Sequence, residues 1–286
     1  MTAPVNSMDP VIAQAKLPSN LLASMGPLEV RLAASNDDLK ACQQLRYRVF
    51  YEELGAQSSA KSRAAGLDAD GYDPVCNHLM VLDGPQVVGT YRLLRQEAVN
   101  PLTGFYTESE FNISALLRNQ SEHRFLELGR SCVLKPWRTK RVVELLWQGI
   151  WNYVRHHHVD VMFGCASLEG TDPDTLADQL SFLHHYCRAQ APWSAKARDE
   201  FYIEMNRVEK AAIDERTVFK ELPPLVKGYL RLGAKVGDGA VIDRQFNTTD
   251  VLIMLPVTHI NPRYFARFGA PNEKSGTRDA NILSAA

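Results

Sequence analysis

No stretch of the 286-residue chain is both long enough and apolar enough to span a bilayer; the run Val251–Val257 (VLIMLPV) has the length of a strand. The opening residues, MTAPVNSMDPVIAQAKLPSN, lack a basic start followed by a sustained apolar core, so they do not read as a secretory signal. Cysteine is scarce: Cys42, Cys76, Cys132, Cys165 and Cys187 form an odd set without a CxxC pair, which excludes a disulfide framework and a zinc-ribbon site and fits reduced thiols in a cytoplasmic protein. Net charge is also missing. A formal charge of -1 excludes a general nucleic-acid binder, since a phosphate backbone rewards a strongly basic face, and any anion recognition must be local. There is no internal repeat and no low-complexity segment.

What remains is ordinary globular composition, 45% hydrophobic and 23% charged, with length for a sizeable core. Residues 1–27 carry Pro4, Pro10, Pro18 and Pro27 amid small and polar residues and read as a flexible leader, with order expected from Leu28. Contact of that leader with the inner surface of a membrane is left open. Residues 28–269 read as one domain and 270–286 as a polar tail.

Along the domain, LEVRLA alternates like a strand, and Ser35–Asp38 supplies cap chemistry for a helix whose stripe is Leu39, Cys42, Leu45, Val49 and Phe50. A small polar loop over 55–66 leads to a turn, Asp70–Pro74, holding two carboxylates, and then to a hairpin carrying Arg92 in its second arm. Residues 100–121 read as a loop with a short helix. Later come a buried strand over VDVMFGCASL, a helix over Asp174–Tyr186, a strand-like FYIEMN, a helix over Leu222–Leu232 and two final strands.

The most informative stretch is Phe125–Trp147, FLELGRSCVLKPWRTKRVVELLW, where strand alternation gives way to helical spacing across a basic turn. Alternation puts Phe125, Glu127, Gly129 and Ser131 on one face and Leu126, Leu128, Arg130 and Cys132 on the other, so Arg130 should point away from Glu127 unless a bulge intervenes. Lys135, Arg138, Lys140 and Arg141 precede a helix N-terminus, where free N–H groups, the helix dipole and cations together favour a phosphate. A soluble basic turn is the plainer alternative. His156–His158 are consecutive and cannot all face one ion, and His184-His185 lacks the aspartate of an HxxxxD acyltransferase, so no metal site is expected. Cys132 and Cys165 read as core rather than as nucleophiles.

The order of elements, α/β with a mixed, mostly antiparallel central sheet flanked by helices, resembles the Gcn5-related N-acyltransferase (GNAT) fold. Arg46–Phe50 (RYRVF), Asp70–Asp73 (DGYD), Gly89–Arg92 (GTYR) and Glu127–Arg130 (ELGR) are similar to blocks of the acyl-homoserine lactone synthases. A closer resemblance, from about Leu28 to Gly269, is to the ornithine lipid biosynthesis acyltransferases. It is carried by Glu127–Val133 (ELGRSCV), Phe163–Pro173 (FGCASLEGTDP), Leu222–Asp243 and Gln245–Val251 (QFNTTDV), whose ordered succession is more specific than any one block.

That resemblance implies transfer of a 3-hydroxyacyl group from acyl carrier protein to the α-amine of ornithine, with the acyl-phosphopantetheine arm as donor and no bound cofactor. Acylation of glutamine, lysine or glycine, and a non-catalytic carrier-binding protein, are the alternatives. One departure favours the carrier: the usual acetyl-CoA loop has glycines where this chain has Arg138-Thr139-Lys140-Arg141-Val142-Val143, whose side chains block close approach of a pyrophosphate. A single phosphodiester and an acidic carrier suit the basic residues better. Glu127 is then the expected base, directly or through water, or else a strand-holding partner of Arg92 or Arg130. Arg130 joins it through a network. Asp70 and Asp73 would hold the amine-bearing substrate or cap their own turn. Arg46 and Arg92 would bind its carboxylate or order the two acidic residues, and Asp243 or Asp250 would meet the side-chain ammonium.

Overall fold

The computed structural model describes residues 20–264. In chain order these residues form β1 (Leu21–Met25), β2 (Leu28–Leu32), α1 (Asn36–Tyr47), α2 (Ala60–Ala65), β3 (Asn77–Asp83) and β4 (Gln86–Arg95). The short β5 (Phe111–Asn112) and α3 (Ser114–Asn119) lead to β6 (Phe125–Val133) and α4 (Lys140–His156). Then come β7 (Val161–Glu169), α5 (Ala177–Cys187), β8 (Lys196–Ala197), α6 (Glu215–Glu221), α7 (Pro224–Leu232), β9 (Lys235–Asp243) and β10 (Thr248–Pro256).

The strands make one sheet in the order β1-β2-β3-β4-β6-β7-β10-β9-β8-β5. It is antiparallel except where β6 meets β7 and β8 meets β9. Helices cover both faces. On β2, Val30 lies under Gly149 of α4, where an added Cβ would sit 2.8 Å from a Val30 methyl carbon. Its neighbour Arg31 points the other way and pairs with Asp38 in the first turn of α1 at 2.8 Å. Ser35 caps α1 by accepting the Asp38 N–H, and the buried stripe of α4 runs through Val142, Leu145, Leu146, Ile150, Tyr153 and Val154. No helix among the described residues is long and apolar enough to cross a membrane.

Four expectations change. Residues Leu21–Met25, placed by sequence in the leader, form an edge strand paired with β2 across a turn at Gly26, whose φ is +64°. Prolines flanking a five-residue strand disguised it, yet an edge strand tolerates them. FYIEMN is no strand: Ile203 alone bridges Ala240, exchanging two backbone hydrogen bonds of 2.9 and 3.0 Å. The loop over 55–66 contains α2, capped by Ser59 and closed by Gly66 in the left-handed region. The helix expected from Asp174 begins at Ala177. Residues 1–19 of the leader and the tail over 270–286 lie outside the described residues.

Candidate functional site

The ladder between β6 and β7 is short. Phe125, Leu126 and Glu127 pair in parallel with Val161, Met162 and Phe163, and beyond them the two strands part, while β7 continues beside β10 along its whole length. Gly164 stands at the apex of the opening: a Cβ there would lie 2.2 Å from the Leu128 carbonyl oxygen, so only glycine lets the strands come this close before diverging. The gap is a cleft of about 260 Å³ lined by Tyr106, Glu127, Arg130, Cys165, Phe246 and Asp250, among others.

Glu127 sits where the ladder ends. It is 6% exposed, and its carboxylate accepts the backbone N–H groups of Tyr106 (3.1 Å) and Thr107 (2.6 Å). Those are first-turn donors of the 3-10 helix Tyr106–Ser109, which the helix itself leaves unpaired. Burial pushes the Glu127 carboxyl above its ordinary range, and the hydrogen bonds from Thr107 and Tyr106 only partly oppose the rise.

Arg130 departs from simple alternation. Thr90 faces Cys132 and Arg92 faces Gly129, so Tyr91 alone opposes both Arg130 and Ser131: a β-bulge, with Arg130 at φ +50°. The bulge reverses the phase of the strand. Gly129 and Cys132 end on one face, and the expected opposition of Arg130 and Glu127 is lifted because both now line the cleft. The Arg130 guanidinium lies between two rings, 4.9 Å from the Tyr106 centroid and 4.8 Å from that of Phe246. Burial opposes its charge, but Tyr106, Asp68 and Asp70 outweigh it and raise its pKa.

Behind this wall is a buried ion network. Arg46, 1% exposed, reaches from α1 to Asp68 (2.8 Å) and Asp73 (2.7 Å). Arg92 contacts Asp70 (2.7 Å) and Asp73 (3.1 Å), and Arg130 stands 3.4 Å from both Asp68 and Asp70. Three guanidinium groups face three carboxylates, so the cluster is formally neutral. Burial would raise Asp73, but the hydrogen bond and charge of Arg46, then the charge of Arg92, hold it well below the usual carboxylate range. Asp70 is held low chiefly by Arg92 against its own burial.

Thus the structure gathers Arg46, Asp70, Asp73 and Arg92 into one network with Arg130. Arg92 and Arg130 reach the cleft wall, whereas Arg46 and Asp73 lie beneath it. Glu127 makes its hydrogen bonds to backbone rather than to either arginine. Sequence reading passed over Asp68, which shares the LDADGYD run with the two aspartates it chose, and Tyr106 and Phe246, which sandwich Arg130.

It also passed over Glu110. The carboxylates of Glu110 and Asp250 and the Cys165 thiol bring ligand atoms within 4.8 Å of one another. Burial, then the charge of Asp250, pushes the Glu110 carboxyl up to about 8. Burial likewise lifts Asp250 to about 6, against hydrogen bonds from Ser167 and Thr248. Asp243 lines the same cleft.

The basic edge lies at the start of α4. Thr139 caps the helix by accepting the Val142 N–H. Arg138 is tied to the Val133 carbonyl (3.0 Å) and to Glu53 (2.5 Å), and Arg141 donates to the Met25 carbonyl (2.8 Å). Lys135 and Lys140 are exposed, Lys140 lying 3.7 Å from Glu144 one helical turn on.

A model of the acetyltransferase (GNAT) domain matches residues 45–148. Over 261 residues the chain is 49% identical to the L-ornithine N(alpha)-acyltransferase of Agrobacterium fabrum, covering 89% of each chain. The chain belongs to the L-ornithine N(alpha)-acyltransferase family. The Brucella abortus enzyme of the same name is 49% identical over 257 residues, 87% of this chain and 92% of its own. Among solved structures, FeeM, an N-acyl amino acid synthase from uncultured soil microbes, covers 83% of this chain and 97% of its own at a TM-score of 0.47 and 13% identity. The protein is therefore an acyltransferase with a GNAT fold, and its ten-stranded, mostly antiparallel sheet flanked by helices is that fold's architecture here.

Proposed function

We propose that this acyltransferase moves a 3-hydroxyacyl group from acyl carrier protein to the α-amine of L-ornithine, giving lyso-ornithine lipid in the first step of ornithine lipid biosynthesis. The observation that carries the reading is the cleft where β6 and β7 part, with a buried carboxylate, Glu127, at its apex and an aromatic-clamped cation, Arg130, beside it. The relatives' names supply the amine.

In this reading Arg130 meets the carboxylate of the amino acid. Glu127 accepts a proton from the α-ammonium, directly or through one water, leaving a neutral amine within reach of the thioester carbonyl. The nitrogen attacks the carbonyl carbon, the C–N bond forms, and the electron pair returns from the oxyanion as the C–S bond breaks. The pantetheine sulfur leaves as thiolate and takes up the second proton shed by the nitrogen, while Glu127 passes the first to water and is restored as base. The donor needs no pyrophosphate cradle, and the exposed cations at the start of α4 face an acidic carrier working in the cytoplasm, at the inner membrane surface where the product partitions.

Purified protein, 3-hydroxyacyl carrier protein or the matching acyl-CoA, and a panel of ornithine, lysine, glutamine and glycine, read by mass spectrometry, test this. Nα-(3-hydroxyacyl)ornithine formed faster from the carrier is expected. No amide with any amine would remove the enzyme reading, and preference for another amine or for CoA would replace the corresponding half.

A further inference from the structure

The cleft has two ends of opposite sign. One holds Arg130; at the other, Asp250, Asp243 and Cys165 line the wall, and the Glu110 carboxylate lies within 4.8 Å of the ligand atoms of Cys165 and Asp250. The acidic end is built but unanswered. Glu110 is 9% exposed and Asp250 5%, and Glu110 Oε2 has no hydrogen-bond partner among the described residues. Asp250 accepts from the Thr248 hydroxyl at 2.9 Å and from Ser167, which leaves Glu110 the less satisfied of the two. Two buried carboxylates this close repel each other, and an orphaned carboxylate oxygen calls for a cationic donor.

Resting on the ornithine reading above, we propose that Glu110 and Asp250 form the subsite for the side-chain ammonium of a diamino acid, and that this subsite decides which of its two amines is acylated. The geometry links the two ends. Glu127 accepts the Thr107 N–H, the Thr107 hydroxyl lies 3.8 Å from the Cys165 sulfur, and Cys165 adjoins Glu110 and Asp250. A diamino acid lying across Thr107 and Cys165 thus presents one nitrogen to Glu127 and the other to the acidic pair.

The chemistry at the two nitrogens then differs. An amine attacks a thioester only when neutral. Beside two buried carboxylates an ammonium is held protonated and cannot attack, whereas Glu127 offers one carboxylate whose oxygens already accept two N–H bonds. An ammonium has three N–H donors, enough for Glu110 Oε2, Asp250 and one neighbour.

Calorimetry with the full chain, titrating L-ornithine and L-norvaline, which shares the carbon skeleton but lacks the side-chain amine, tests the subsite without needing turnover. Ornithine is expected to bind about 30- to 100-fold tighter, the range of a charge-assisted hydrogen-bonded contact. Asp250→Asn and Glu110→Gln should each bring that ratio below about 10, and tandem mass spectrometry of their products should show Nδ-acylornithine that the parent does not make. A parent ratio below about 3 overturns the proposal, and this measurement stands even where a variant fails to fold. So does a ratio and regiochemistry unchanged in both variants, or tight Mn2+ or Zn2+ binding that ornithine does not displace. Preferential ornithine binding with no amide formed would keep the subsite and overturn the reading of function; amide formed on ornithine without preference over norvaline would do the reverse.

Discussion

Replacing Asp73 by Asn should be among the most damaging isosteric changes in the protein. Asp73 is 2% exposed and lies between Arg46 at 2.7 Å and Arg92 at 3.1 Å, with the Gln43 amide donating to it at 2.8 Å. The substitution keeps the volume but turns three guanidinium groups facing three carboxylates into three facing two, and it sets an NH2 against donors. Removing one partner of a buried ion pair costs roughly 3–5 kcal/mol, because the remaining charge stays desolvated. Against a total stability of about 5–15 kcal/mol that is a large share. The sign with pH follows from the depressed carboxyl of Asp73: its contribution is fully present above the unfolded value near 4 and fades as pH falls toward the folded one, so the gap between parent and variant should start to narrow near about pH 4 and close only well below it. Urea unfolding at pH 7 and through the acid range, followed by tryptophan fluorescence, measures both. A loss under about 1 kcal/mol at pH 7, the size seen for exposed pairs, would refute the claim that this network is a buried, tightly paired unit. So would a loss that stays constant into acid.

Three further outcomes are expected. Glu127→Gln should lower kcat about 10²- to 10⁴-fold with little change in KM for the acyl donor, since it removes the proton acceptor together with one of the two acceptors of the Tyr106 and Thr107 N–H groups; unchanged kcat would end its role as base. Glu110→Gln should stabilise the unliganded protein increasingly from about pH 5 to 8: the carboxyl is raised to about 8 when folded, so ionisation over that range favours the unfolded chain, and the variant escapes a penalty on the order of 2–4 kcal/mol. Thermal melts that differ by the same amount at pH 5 and pH 8 would contradict this. Lys135→Ala with Lys140→Ala should raise KM for acyl carrier protein several-fold at low salt and converge with the parent near about 0.5 M salt; a KM identical at both would leave the basic edge without a docking role.

Much of this was legible because it is local. Alternation followed by helical spacing placed β6, the basic turn and α4, and a cap residue marked α1. The bulge at Arg130 was not, since a count of alternating residues carries no information about what the neighbouring strand does, and the register is set by β4. Cys165 looked like core because the period of β7 is that of a buried strand; only the parting from β6 exposes it to a cleft. Glu110 ends a 3-10 turn in a stretch with no periodicity, and its nearness to Asp250 joins segments 140 residues apart in sequence, a relation no local pattern encodes. β1 was hidden by its brevity.

The bulge also sets stability against function. At φ +50° Arg130 occupies a backbone region costing roughly 1–2 kcal/mol for a residue with a side chain. A chain one residue shorter here would gain an unbroken ladder between β4 and β6, and would send the guanidinium to the far side of the sheet, away from its two rings and from the cleft. Selection for thermal tolerance alone would therefore tend to erase the site, and engineering toward a hardier enzyme should leave Gly129, Arg130 and Ser131 untouched.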